Sequence, residues 1–488
     1  MMPIPRIGAL VLGAVALALS PVTAQADDAI RPYAENPYYW QYQGEPVLLL
    51  GGSWQDNLFN HPIGLAEHLD LLVSVGGNYV RNTMSHRNQG NVFAYVQRAG
   101  PHSERFGDVP VEEDGKFDLD EFNEDYWLRL DDFLRMTRER DIIVQIEVFD
   151  PHDHFRDHQS LGGWSKHPFN PANNVNYTAE ESGLPTSANY RPVARPSEHP
   201  FWLAVPALEN NELVLHYQQA YVDKLLSITL EYSHVLYCIQ NESGEELAFG
   251  DYWADYIHER AREAGRTVYV TDMRRTSDVR EPDQRHIMDN PQRFNFLDIS
   301  QTTGDYDAVL FVRDYVAENP RPINCTKLYN FGGGAARMFR AVFAGGASAR
   351  FHRPHPLEGS RDHEESTRWG IGLSPQAQAG IRSARMLTDA MDLFACEPRG
   401  DLLSDRNDKE AYCLAEPGRQ YAVYFPGGGS VTLDLSGAPE ELTARWLDIE
   451  NAEWTEEEPL RGGGRVQISP PGTGHWAVLM LSQKGNTE

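Results

Sequence analysis

The stretch Val235-Leu-Tyr-Cys-Ile-Gln-Asn-Glu-Ser-Gly-Glu-Glu246 is the part of the chain from which its fold can be inferred. Its first five residues form a short apolar run with the length of one strand, which predicts a buried strand. Glu245 and Glu246 suit the first turn of a following helix, where carboxylates interact favourably with the helix dipole. Asn241 and Glu242 come earlier, at the end of the strand. We therefore predict that Glu242 is a functional carboxyl.

Residues 1–26 have the features of a cleavable secretory signal peptide. Arg6 precedes an apolar run over residues 7–19, and Ala24-Gln25-Ala26 supplies a small-x-small cleavage site after Ala26. The run is too short for a membrane anchor, and no later stretch approaches about 18 consecutive apolar residues. We expect a secreted or periplasmic protein that does not span a membrane.

The composition narrows the range of partners. The chain has 488 residues and a formal net charge of −28, which disfavours nucleic acid and anionic membranes. Four cysteines are few for an exported chain of this size, and none has a zinc-site spacing. Cys238 and Cys325 suit buried strands, whereas Cys396 and Cys413 either form a disulfide or stay free. The sequence leaves the oligomeric state open.

Eight extended segments alternate with helical patterns at intervals that suit βα units. They begin near residues 47, 79, 142, 235, 267, 296, 322 and 347, which predicts an α/β fold, a (β/α)8 TIM barrel, over residues 27–395. A doubly wound sheet is the competing fold, but no G-x-G-x-x-G follows the first strand. Short, partly alternating runs with glycine-rich turns predict a small all-β sandwich domain over residues 396–488.

Three motifs carry a resemblance to a known group of enzymes. Phe117-Asp-Leu-Asp, Tyr126-Trp-Leu-Arg-Leu130 and Gln240-Asn-Glu242 resemble the cellulase-like superfamily of retaining (β/α)8 glycoside hydrolases over about residues 30–395. In that superfamily, Asn-Glu at the end of the fourth strand is the acid/base motif. The resemblance implies that Glu242 is the general acid/base and that Asn241 holds a hydroxyl of the substrate.

The seventh predicted strand departs from this pattern. The superfamily has its nucleophilic glutamate there, whereas Ile323-Asn-Cys-Thr-Lys-Leu-Tyr329 places Lys327 where a carboxylate is expected. Retaining hydrolysis needs two carboxyls about 5–5.5 Å apart, and inverting hydrolysis needs them about 6.5–9.5 Å apart. The second carboxylate must come from another strand, or the chemistry is different. The candidates are Glu147, Asp150, Asp272 and Asp305.

Further polar and aromatic residues at the predicted strand ends are candidates for substrate binding. Aromatic side chains suit the apolar faces of sugars, although they serve equally well in loop packing. Cationic side chains suit an anionic glycan, such as a uronic acid or sulfated polymer, although they also pair with neighbouring acids. His152, within Asp150-Pro-His-Asp-His154, suits a polar substrate wall better than a metal site. The candidates are Asn241, Trp54, His86, Asp150, His152, Trp164, Lys327, His352 and Arg353.

These observations predict a secreted glycoside hydrolase that acts on a poly- or oligosaccharide and needs neither an organic cofactor nor a metal. Two alternatives stay open. The first is a polysaccharide lyase that uses Lys327 or Tyr329 as the base of a β-elimination. The second is a carbohydrate-binding pseudoenzyme that has lost its nucleophile.

Overall fold

The computed structural model describes residues 28–86, 90–98, 115–155, 163–187, 198–300, 306–329, 334–352, 372–407 and 410–482. The predicted signal peptide, Asp305, Arg353 and the side chain of Tyr329 lie outside the described part of the chain. Among the described residues, no helix combines the length and the apolarity that a membrane span requires.

The described residues contain eight strands of a parallel barrel, as the sequence predicts. They are β1 (Leu49–Ser53), β2 (Tyr79–Thr83), β3 (Ile143–Phe149), β4 (Val235–Gln240), β5 (Val270–Thr271), β6 (Leu297–Asp298), β7 in two segments (Ile323–Asn324 and Leu328–Tyr329) and β8 (Ser348–His352). One sheet has the order β5-β4-β3-β2-β1-β8-β7, and β6 pairs with the first segment of β7. Between β5 and β6, the Asn295 side chain accepts from Val270 N at 2.7 Å and donates to Val268 O at 3.1 Å.

Each strand is followed by a helix, so the (β/α)8 prediction is confirmed. The helices are α1 (Leu65–Ser74), α2 (Glu124–Arg138), α3 (Glu212–Thr229), α4 (Leu247–Glu263), α5 (Pro282–Asp289), α6 (Tyr306–Tyr315), α7 (Gly334–Phe343) and α8 (Pro375–Ala390). Helix α2 illustrates why they form. Its buried apolar residues, among them Leu130, Phe133 and Leu134, recur at helical spacing, and Asn123 caps the first turn by accepting from Asp125 N. Shorter helical turns lie in the connections, at Leu58–Asn60, His152–Phe155, Trp164–Lys166, Ala179–Ser182 and Pro200–Leu203.

An amino-terminal antiparallel sheet closes the floor of the barrel. It is built from Arg31–Pro32, Trp40–Tyr42 and Glu45–Val47. The Trp40 ring is fully buried, and its Nε1 donates to Asn324 Oδ1 at 2.9 Å. Because this end is filled by side chains, the carboxyl ends of the strands are the face on which a site can form.

The carboxyl-terminal domain is an antiparallel β sandwich, as predicted. One sheet contains Glu397–Pro398, Tyr412–Glu416, Gln420–Phe425, Glu441–Asp448, Glu453–Trp454, Glu458–Arg461 and Trp476–Ser482, and the other contains Leu403–Ser404, Val431–Asp434 and Arg465–Ile468. The core between them includes Cys413, Val423, Leu433 and Val478. Each sheet thereby buries its apolar face, which neither could do alone.

Aromatic rings join the sandwich to the barrel. The ring of Tyr412 lies 4.7 Å from that of Tyr306, and the ring of Tyr424 lies 5.2 Å from that of Phe339. Cys396 and Cys413 are both buried free thiols, so the disulfide that the sequence left open does not form. Cys396 instead donates to Asp392 O at 3.3 Å.

Candidate active site

The ends of β4 and β7 meet at the carboxyl-terminal face of the barrel. Asn241 and Glu242 directly follow β4, and Lys327 lies between the two segments of β7. Lys327 Nζ is 2.7 Å from Glu242 Oε1 and also donates to Asn241 Oδ1. The structure thus brings together the three residues that the sequence placed on these two strands.

Glu242 sits in a strained turn. Its φ angle is +62°, in the left-handed region that residues with a Cβ rarely adopt. The turn is held by Ser243, whose N donates to Met273 O and whose O accepts from Arg275 N, both at 2.8 Å. Strain of this kind persists where the surrounding structure enforces it, and it is concentrated at functional sites.

The electrostatic surroundings of Glu242 favour its ionised form. Burial alone would raise the pKa of this carboxyl, but the Lys327 ammonium and His152 outweigh burial and hold the pKa well below its usual value. His152 Nε2 lies 3.5 Å from Glu242 Oε2. The Glu242 side chain is 19% exposed, whereas that of Lys327 is 1% exposed. Burial lowers the pKa of Lys327, and Glu242 opposes that shift.

Arg81, at the centre of β2, contacts the carboxylates of Asp56 and Glu147 as well as the amide of Asn241. It donates to Asp56 Oδ1 at 2.7 Å, to both oxygens of Glu147 and to Asn241 Oδ1 at 2.9 Å. Glu147 is fully buried, and burial raises its pKa against the opposing effect of Arg81. Glu147 therefore belongs to the same cluster as Asn241 and Lys327, but Arg81 engages both of its oxygens.

Asp272, another of the candidate carboxylates, holds the turn that contains Glu242 through Ser243. Its carboxylate accepts from Ser243 Oγ at 3.0 Å, from Arg274 at 3.2 Å and from Gln240 N at 3.2 Å. Burial raises the pKa of Asp272, while Arg274 opposes the shift. Arg274 also donates to Asp283 at 3.0 Å. Asp272 thus joins the end of β4 to the end of β5.

The remaining predicted binding residues divide into two groups. Asp150 accepts from Asn241 Nδ2 at 3.1 Å, and His352 Nδ1 lies 3.4 Å from Asp56 Oδ1, so both belong to the polar cluster at the strand ends. Trp54, His86 and Trp164 are buried. Trp164 is fully buried, and its Nε1 donates to Pro185 O at 2.6 Å. Its position is that of a packing residue, the alternative set out above.

Sequence reasoning did not nominate Arg81 or Asp56. The available signal was Arg81 itself, a charged residue within the buried strand Tyr79–Thr83. A fully buried arginine requires acidic partners, so nearby carboxylates could have been expected. Among the described residues, no three His, Cys, Asp or Glu side chains converge as they would to hold a metal ion.

Comparisons with known proteins agree with this fold. A family model described as a domain of unknown function (DUF6298) matches residues 87–305, and no curated protein matches the chain. A solved glycoside hydrolase is 12% identical, with a TM-score of 0.59 over 94% of this chain and 98% of that one. A glycoside hydrolase of family 5 from Bacteroides vulgatus is 13% identical, with a TM-score of 0.60 over 94% of this chain and 96% of that one. The fold is that of these glycoside hydrolases.

Proposed function

We propose that this protein is an exported glycoside hydrolase that cleaves a poly- or oligosaccharide, with Glu242 as its acid/base. The observation that carries the proposal is the position of Glu242: a partly exposed carboxylate in an enforced left-handed turn at the end of β4. The carboxyl ends of barrel strands are where (β/α)8 enzymes hold their reacting groups. The fold shared with solved glycoside hydrolases supports a carbohydrate substrate.

The protonation state of Glu242 determines which catalytic role it can take. Next to Lys327, Glu242 is ionised at neutral pH, which is the state that a general base needs to activate water. To protonate a departing glycosidic oxygen it must first gain a proton, which requires the contact with Lys327 to loosen. The step therefore couples movement of the ammonium to protonation of the acid.

The contacts of Glu147 and Asp272, two of the candidate second carboxylates, support positioning roles for them. Glu147 orients Arg81, which in turn fixes Asn241, and Asp272 fixes the Glu242 turn through Ser243. Neither is exposed to a substrate, because both side chains are buried. We assign Glu147 and Asp272 as positioning residues.

The pairing of the cations favours a neutral glycan over an anionic one. Lys327 pairs with Glu242, Arg81 with Asp56 and Glu147, and Arg274 with Asp272 and Asp283. An anionic sugar would have to displace one of these internal carboxylates. Of the two interpretations of the strand-end cations, pairing with neighbouring acids is the one we adopt.

Because Lys327 occupies the position where a second carboxylate is expected, a lyase and a carbohydrate-binding pseudoenzyme are the competing functions. The purified protein would be incubated with a panel of neutral and uronate oligosaccharides, and both reducing ends and ultraviolet absorbance would be measured. Hydrolysis produces reducing ends without absorbance, whereas β-elimination creates an absorbing double bond. Glu242→Gln should lower turnover about 100- to 10,000-fold. The exposed neighbour Glu246→Gln is the matched control and should leave turnover unchanged.

A further inference from the structure

A partly enclosed cavity of about 40 Å³ lies beside the Asn241–Asp150 contact, at the carboxyl ends of β2 and β3. Its wall combines aromatic side chains, among them Tyr95, Phe149 and Phe201, with the polar residues Asp150, Asp153 and His154. Asp150 is shared between the two features. Its carboxylate accepts from Asn241, and its backbone oxygen lies 3.2 Å from His154 Nδ1. Asp150 therefore links the cavity to Asn241, the residue next to Glu242.

Two buried polar atoms, each on a residue that lines this cavity, have no hydrogen-bond partner among the described residues. They are the hydroxyl of Tyr95 and Nε2 of His154, on side chains that are 2% and 3% exposed. Because the backbone oxygen of Asp150 can only accept, His154 Nδ1 must be the donor, and Nε2 is then a free acceptor in the neutral ring. Buried polar groups without partners are uncommon and costly, so each invites a ligand group.

The charge of the wall decides which ligand group fits. Burial lowers the pKa of His154 and His167 well below the usual range, so both rings are neutral. Among the described residues that line the cavity, Asp150 and Asp153 are the carboxylates, and none is a lysine or an arginine. A carboxylate or sulfate would meet repulsion here, whereas a hydroxyl can donate to His154 and accept from Tyr95.

The volume sets the size of that group. At about 10–15 Å³ for each water-sized occupant, the cavity holds about three such groups. A complete pyranose ring is too large, whereas an exocyclic CH2OH arm fits and presents one hydroxyl.

We propose that this cavity receives the exocyclic hydroxymethyl group of a neutral hexopyranose bound next to Glu242. It thereby selects hexosides over pentosides, which lack the arm, and over uronates, whose arm is charged. The inference rests on the proposed carbohydrate substrate and narrows it to neutral hexose units.

Tyr95→Phe is the variant that tests the proposal. It removes a hydroxyl that has no partner among the described residues, so the fold is retained. Binding would be measured by ligand-observed NMR with the methyl glycosides of glucose, mannose, galactose, xylose and glucuronic acid. At least one hexoside should bind the unaltered protein about tenfold more tightly than the xyloside or the uronide, and Tyr95→Phe should bring that ratio close to one.

Tyr39→Phe is the matched control, because Tyr39 also has a buried hydroxyl without a partner among the described residues. Its ring packs against Phe394, away from the cavity, and the control should keep the hexoside preference. Equal binding of hexoside and xyloside, tighter binding of the uronide, an unchanged ratio in Tyr95→Phe, or no binding of any probe would each overturn the proposal. Selective hexoside binding without any glycan cleavage would support this cavity while refuting the hydrolase.

Discussion

The ammonium of Lys327 lies 2.7 Å from Oε1 of Glu242, so the ends of β4 and β7 carry an ion pair. In the superfamily that the sequence resembles, these two positions carry two carboxylates. The opposite charge of Lys327 stabilises the ionised form of Glu242, whereas a second carboxylate nearby would raise the pKa of Glu242. A lysine instead of a carboxylate at the end of β7 thus changes the protonation of Glu242, while the candidate site stays at the same place in the barrel.

Lys327→Met should raise the pKa of Glu242, because burial opposes ionisation and the variant removes the cation that most strongly offsets it. The acidic limb of the pH–rate profile should move upward by about one unit or more. A depressed carboxyl pKa stabilises the fold above the unfolded value and loses that effect as pH falls through the folded value. The variant should therefore lose about 2 kcal/mol at pH 7 and much less near pH 3.

This shift is measured from pH–rate profiles together with urea denaturation at both pH values. Lys166→Met, on an exposed side chain, is the control and should leave the profile in place. An acidic limb that does not move in Lys327→Met would show that Glu242 is not the group that titrates.

Arg81→Met should destabilise the fold by about 3–5 kcal/mol, because it leaves Glu147 and Asp56 buried without their counter-charge. Adding Glu147→Leu should recover part of that loss, since one uncompensated charge disappears with it. The measurement is urea denaturation at pH 7. Arg135→Met, on a half-exposed arginine of α2, should change stability by less than about 0.5 kcal/mol. A similar small change in Arg81→Met would contradict the central role of this arginine.

Asp272→Asn should lower kcat about tenfold with little change in KM, because it weakens the contacts that hold Ser243 and the Glu242 turn. The pH–rate profile of this variant should also show a shift of the limb that reports the ionisation of Glu242. A loss of stability alone would not produce that shift. Asp283→Asn is the matched control, since this residue also pairs with Arg274 but is partly exposed. Equal effects of the two variants would argue against a specific role for Asp272.

Buried histidines should make the protein sensitive to mild acid. Burial lowers the pKa of His61 to about 4 and that of His68, His199 and His234 to about 3. These rings are neutral in the fold, whereas the unfolded chain binds protons below about pH 6.5. Their stabilising effect is complete above that pH and is lost as pH falls toward the folded values, by up to about 1.4 kcal/mol per unit and per histidine.

This loss is measured as the free energy of unfolding in urea at steps between pH 7 and pH 5. His68→Leu should reduce the slope against pH by about one proton, and the exposed His216→Gln should leave it unchanged. A flat profile in the unaltered protein would rule out the neutral buried histidines.

The sequence was sufficient to predict the architecture and to place Glu242 and Lys327 at the carboxyl ends of the fourth and seventh strands. Both follow from counting, because strands with the right spacing close into a barrel and the carboxyl ends of parallel strands gather at one edge. The helical patterns between the strands follow from periodicity in the same way.

The pairing inside the barrel could not be predicted. Whether Glu147 meets Arg81 or the substrate depends on the stagger between β2 and β3, which pairs Thr83 with Glu147 along the strands. Alternation along a strand gives no such information when both faces are buried. Trp164 illustrates the same limit for loops, because its burial depends on contacts with distant segments such as Pro185.

The aromatic contacts between the two domains constrain how this protein can change over evolution. Tyr412 and Tyr424 use barrel side chains as part of their own packing, and the two domains share one apolar cluster. A chain ending before residue 396 would leave the barrel rings of Tyr306 and Phe339 without these partners. Another domain could therefore replace the sandwich only if it covered the same barrel surface. We expect the barrel and the sandwich to be inherited together.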